Sequence, residues 1–178
     1  MELPSSPTRQ FSLTIIVRVR RERLNRLRDE LDKIRCETIE VMEGRAAKAS
    51  MPFQAMKTIH YARWVLIDHQ RAFMTGPQLV LSTNYDGPVG DEHCSEEEAL
   101  RRHVAEMIEH GYEALHEVYR CCEGFVPANN DVPAIKRCLQ NYLTDPTCRH
   151  PSSTFYVGAP GRSRDQVLDE AELRRHVD

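Results

Sequence analysis

Apolar and polar positions alternate along Phe11 to Arg20, with Leu13, Ile15, Val17 and Val19 on one side and Thr14, Ile16, Arg18 and Arg20 on the other. A period of two marks a half-buried strand, because successive side chains of an extended chain point to opposite faces. The period then changes. Leu24, Leu27, Leu31 and Ile34 recur at helical spacing inside a charged segment, which predicts an amphipathic helix lying on an apolar surface. Strands are predicted over Ile59 to Ile67 and Gln78 to Tyr85, joined as a hairpin across a Gly76-Pro77 turn signal. Leu100, Val104, Met107, Ile108, Gly111, Leu115, Val118 and Cys122 trace one stripe of a long helix. A Ser95/Glu98 capping box opens that helix and Gly124 closes it. A shorter helix near Val132 to Leu143, a strand at Ser153 to Gly158 and a charged helix from Arg164 complete the pattern.

The order strand, helix, strand, strand, helix, strand predicts an α+β fold of the ferredoxin-like split βαβ kind. It is expected to have a four-stranded antiparallel sheet with two long helices on one face, plus extra C-terminal helices. Residues 1–10, with two prolines and no apolar period, are expected to be a flexible lead-in, and residues 11–178 a single domain. Between Gly44 and Thr58 no period persists, so this stretch reads as a long loop and a candidate lid.

Composition narrows the function classes. Charged residues make up 29% and hydrophobic residues 40% of 178 positions, a globular balance rather than a disordered one. A formal net charge of -3 gives no field that favours nucleic acid, although Arg18, Arg20, Arg21, Arg23, Arg26 and Arg28 form a local basic cluster. The first strand also lacks the stacking aromatics of single-strand readers, so no nucleic-acid partner is expected. No apolar run approaches a membrane span and the first ten residues lack an apolar signal core, which points to the cytoplasm. Six cysteines carry no CxxC spacing, and the adjacent Cys121 and Cys122 read as thiols in a reducing compartment.

The segments IHYARWVLI, LVLSTNYDGP, CCEGF and TFYVGAPGRSRDQVLDEAELRRHV resemble those of a family of bacterial ferredoxin-like domains. That family is distantly similar to dye-decolorising peroxidases and other dimeric α+β barrel proteins. The resemblance spans roughly Phe11 to the end of the chain. It implies that Asp86, followed by Gly87, stands where a peroxidase aspartate assists cleavage of hydrogen peroxide above heme. The first glycine of that motif is missing here, with Thr83 or Asn84 in its neighbourhood.

A ferredoxin-like sheet leaves one face to be covered by a ligand, a loop or a second subunit, so the chemistry is sought there. Asp86 at a strand end is the candidate acid or base, competing with an ordinary Asx turn. Regular alternation groups His60 with Ala62, Trp64 and Leu66, and Tyr61 with Arg63 and Val65. His60 and Arg63 are candidate catalytic groups; His60, Trp64, Tyr156 and Arg162 are candidate cofactor-binding groups. His103, Glu106 and His110 share helical spacing, but a solvated face explains them better than a metal site, and no metal is expected. His116 reaches a heme only if it turns inward. Gly158 to Arg164, which includes Arg162, joins a strand to a helix and is a candidate anion site, with a tight capped turn as the competing reading.

The expected function is therefore binding of a small apolar ligand or heme on the open sheet face, with peroxidase- or oxygenase-type chemistry. The competing expectation is a noncatalytic module in which that face pairs with itself, as a homodimer, or with a partner protein.

Overall fold

The computed structural model describes residues 9–68, 76–88, 91 and 93–150. Strand β1 (Gln10–Arg18) is followed by a single 3-10 turn and helix α1 (Leu24–Met42); β2 (Ile59–Ile67) and β3 (Gln78–Asp86) precede α2 (Glu96–Tyr119) and α3 (Val132–Thr144). The class is α+β. Among the described residues the sheet has three strands, in the order β1-β3-β2, with both outer strands antiparallel to the central one. β1 and β2 therefore run parallel on either side of β3, with α1 as their crossover. The expected strand at Ser153 to Gly158 and the helix from Arg164 lie outside the described residues.

Each element follows from its local chemistry. The Ser95 hydroxyl accepts from the Glu98 amide at 3.2 Å, and Glu96, Glu97 and Glu98 place negative charge at the positive end of α2. Asp131 caps α3 in the same way through the Ala134 amide, with Pro133 in the first turn, where its missing N–H costs nothing. The long stripe of α2 is bent at Gly111, where the backbone leaves helical angles. A Cβ there would lie 2.3 Å from the Met51 sulfur, so glycine lets the 44–58 segment press against the helix.

The sheet has two unlike faces. Phe11, Leu13, Ile15 and Val17 pair across β1/β3 with Tyr85, Thr83, Leu81 and Leu79, and Ala62, Trp64 and Leu66 continue those rows onto β2. This face joins Leu27 and Ile34 of α1 and the apolar stripe of α2 in one core. α3 packs its Leu139 and Leu143 into the same cluster. The 44–58 segment lies on this side too: Met51 and Met56 are fully buried beside Gly111, and the Phe53 ring meets Trp64 at 6.1 Å. It covers the helices' side of the sheet and is not a lid over the open face.

The opposite face carries short rows across β1, β3 and β2: Ser12, Asn84 and Tyr61; Thr14, Ser82 and Arg63; Ile16, Val80 and Val65; Arg18, Gln78 and Ile67. Hydroxyl and amide groups dominate two of these rows. Tyr61 and Val65 are among the exposed large side chains of the molecule.

Candidate functional site

At the end of the open face, Gln10 of β1 stands opposite Asp86 of β3. The β2/β3 ladder changes register between Ile59, opposite Tyr85, and Tyr61, opposite Asn84. His60 is the extra residue of this bulge, a device that re-aims a side chain. Its Nε2 lies 2.6 Å from Asp86 Oδ1, and the Gln10 side-chain amide is 3.1 Å from the same nitrogen. Regular alternation would have grouped His60 with Trp64. The bulge instead brings it to the face of Tyr61 and Arg63.

A carboxylate oxygen at that distance is satisfied by a donor, so Nε2 carries a proton towards Asp86 and, in the neutral ring, Nδ1 holds the lone pair; the Gln10 amide nitrogen is itself a donor and does not bond Nε2. None of the described residues bonds Nδ1. The Asp86 side chain is nearly closed off, at 5% exposure, whereas that of His60 retains 20%. Asp86 is also fixed through its backbone: its amide donates to the Thr58 carbonyl at 2.9 Å, and the Gly87 amide donates to the Arg9 carbonyl at 2.8 Å. A fixed carboxylate behind an imidazole whose second nitrogen no described residue bonds is an arrangement suited to proton transfer.

The remaining sequence candidates separate. Arg63 shares the open face and lies over the Tyr61 ring, 5.9 Å from its centroid. Three residues along β2 place it roughly 10 Å from His60. Trp64 belongs to the covered face, where its indole N–H donates to the Tyr119 hydroxyl at 3.4 Å, so the thickness of the sheet separates it from His60. Tyr156 and Arg162 lie outside the described residues.

Sequence reasoning missed a second polar cluster. His103, read as solvated, is fully buried and stacks on the Tyr85 ring at 4.0 Å. Glu106 accepts from the Lys57 amide at 2.7 Å, from the Thr58 amide at 3.1 Å and from the Thr58 hydroxyl. With its proton committed to Glu106, the Thr58 oxygen accepts from His103 Nδ1 at 3.1 Å, and the Thr83 hydroxyl donates to Nε2 at 3.2 Å. Burial pushes the His103 pKa down to about 3, so the ring is neutral. The signal was in the spacing: Leu100, His103, Val104 and Met107 fall at i, i+3, i+4 and i+7, which puts His103 on the apolar stripe itself.

No family model, curated protein or solved structure matches this chain.

Heme fits this corner poorly. Nε2, the ring nitrogen farthest from the backbone, is already turned to Asp86, and the surrounding rows carry hydroxyls and amides instead of the apolar walls a macrocycle needs. His116 is half-buried against Phe125 on α2, away from the open face. Among the described residues no group of three His, Cys, Asp or Glu side chains is placed to hold a metal ion, and no helix is long and apolar enough to cross a membrane. All six cysteines are free thiols, and burial holds Cys122 up at about 12, which makes it an inert core residue. A cavity of about 620 Å³ lies apart from His60, between α1, the 44–58 segment and α2, lined by Val41, Met42, Met51, Phe53, Lys48 and His110 among others.

Proposed function

We propose that this domain binds a small, flat molecule with an apolar ring and a polar edge on the open face of its sheet, and that His60, held by Asp86, exchanges a proton with it. The observation that carries this reading is the 2.6 Å contact between His60 Nε2 and Asp86, made where a bulge delivers the imidazole to the face opposite the helices. Tyr61, exposed beside His60, supplies a surface on which a planar ring can stack, and the Arg63 guanidinium above it favours a ligand with a carboxyl or acidic hydroxyl group.

The reading takes the whole fold as ferredoxin-like. Two observations support this. The β1-β3-β2 order with α1 as crossover is the first half of a split βαβ arrangement. The chain after α3 also returns to the free edge of β1: the Ile16 amide donates to the Cys148 carbonyl, the His150 amide donates to the Thr14 carbonyl, and Arg149 pairs antiparallel with Ile15. A fourth strand continuing from His150 would complete the sheet.

The direct test is ligand-observed NMR with benzoate and phenol derivatives against the wild-type chain, His60→Gln and Asp86→Asn. Binding to wild type that weakens at least roughly tenfold in both variants is the expected result. Equal binding by all three proteins would remove the proton-transfer couple from the site. A second reading, carried by the 620 Å³ cavity, seats the apolar molecule beneath the 44–58 segment. In that case Phe53→Ala lowers affinity and His60→Gln does not.

A further inference from the structure

Regular pairing of β2 with β3 would set His60 opposite Tyr85, on the covered face with Trp64. Two steps on β2, from Ile59 to Tyr61, instead match one step on β3, from Tyr85 to Asn84. No glycine or proline occurs in Ile59–Ile67 to account for a bulge locally, so the cause must lie in what holds the ends of the irregular stretch. On one side the regular ladder from Tyr61 to Ile67 fixes the register. On the other, Thr58 is anchored at every polar atom: its amide and hydroxyl donate to Glu106, its oxygen accepts from His103, and its carbonyl accepts from the Asp86 amide.

We infer that the Glu106–Thr58–His103 cluster is a positioning device, which locks Thr58 opposite Asp86 and so forces the extra residue, His60, out onto the open face. Glu106 and His103 sit one helical turn apart on α2, so the rigid helix transmits its placement to the strand entry through two side chains. His103 is fixed in turn by the Thr83 hydroxyl and the Tyr85 ring, both on β3, which ties the lock to the strand that carries Asp86. The cluster touches neither His60 nor any ligand and acts only through the backbone at residues 58 and 86. This inference rests on reading His60 and Asp86 as the site, but it is tested on the ligand-free protein, so its failure is distinct from failure of the binding proposal.

The test is a long-range proton–nitrogen correlation of the imidazole rings, with amide exchange measured on the same samples of wild type, Thr58→Ser, Thr58→Val and Glu106→Gln. Wild type and Thr58→Ser are expected to show His60 as the Nε2–H tautomer with a protected Asp86 amide. Thr58→Val is expected to average the His60 tautomers and to speed Asp86 amide exchange roughly tenfold or more, with protection in α2 and α3 retained. Where Thr58→Val does not fold, Glu106→Gln carries the test in the same direction. An unchanged His60 tautomer and Asp86 amide in a folded variant would overturn the inference, and so would a uniform loss of protection across the sheet.

Discussion

On the covered face of the sheet His103 is fully buried, stacked on Tyr85 and bonded at both ring nitrogens, while on the open face His60 keeps a fifth of its side chain exposed and, among the described residues, has partners at Nε2 alone. Both imidazoles stand on hydrogen bonds to side chains of the same region, and both neighbour the strand β3. The difference is saturation. A ring whose donor and acceptor are both spent inside the core stabilises the fold and has nothing left to offer a ligand. A ring oriented by a carboxylate, whose second nitrogen no described residue bonds, has a ring atom left to offer a ligand. The proposed function therefore lies on the open face, and the covered one serves stability.

If that division holds, His103→Ala should have the largest effect on stability. It leaves a cavity together with unpartnered groups at Thr58 and Thr83, and is expected to cost about 2–4 kcal/mol in urea unfolding. His60→Ala should cost about 1 kcal/mol. Comparable losses at both positions would break the contrast.

The pH dependence sharpens it next. The folded-state pKa of His103, about 3, lies below the ordinary value of 6.5, so across this range the unfolded chain binds a proton that the folded chain does not. The stabilisation is fully present above pH 6.5 and is lost as pH falls towards 3. Between pH 7 and pH 5 this group alone should lower stability by about 2 kcal/mol. His103→Gln should remove that slope, read by urea melts at the two pH values.

Gly111→Ala comes third. Its methyl would meet the buried Met51 sulfur, and the displacement should outweigh the gain in helix propensity, leaving a net loss of about 1–2 kcal/mol by thermal or urea unfolding. Neighbouring residues on β3 give the finest comparison. Thr83→Val removes the donor to His103 and should cost about 1 kcal/mol, whereas Ser82→Ala on the open face should stay within about 0.5 kcal/mol.

Much of this architecture was legible in the sequence because period and caps are local. The alternation of Leu13, Ile15 and Val17, the stripe from Leu100 to Val118, and the Ser95 cap all correspond to elements of the right type, with β1 beginning at Gln10 and ending at Arg18. The pairing of His60 with Asp86 was less legible, although both residues were candidates. Strict alternation sent His60 to the face of Trp64, and the bulge that reverses this is set by contacts with α2 that no local pattern records. The 44–58 segment was visible as a loop, but its side of the sheet depended on Met51 finding Gly111 some sixty residues away. His103 was misread because a polar name on an apolar stripe was taken as surface, whereas Thr58 and Thr83 make it a satisfied core residue.

The measurement that bears most directly on the open face is an amide chemical-shift map of the labelled protein titrated with benzoate and phenol, with the sedimentation of the same samples recorded. The account predicts shifts concentrated at His60, Tyr61, Arg63, Ser82, Asn84 and Asp86, on a species whose mass does not change with ligand. Shifts confined to Val41, Met51 and Phe53 would contradict it and move the site beneath the 44–58 segment. A concentration-dependent dimer that shields Ile16, Val65 and Val80, with no ligand-induced shifts, would make the open face an assembly surface instead.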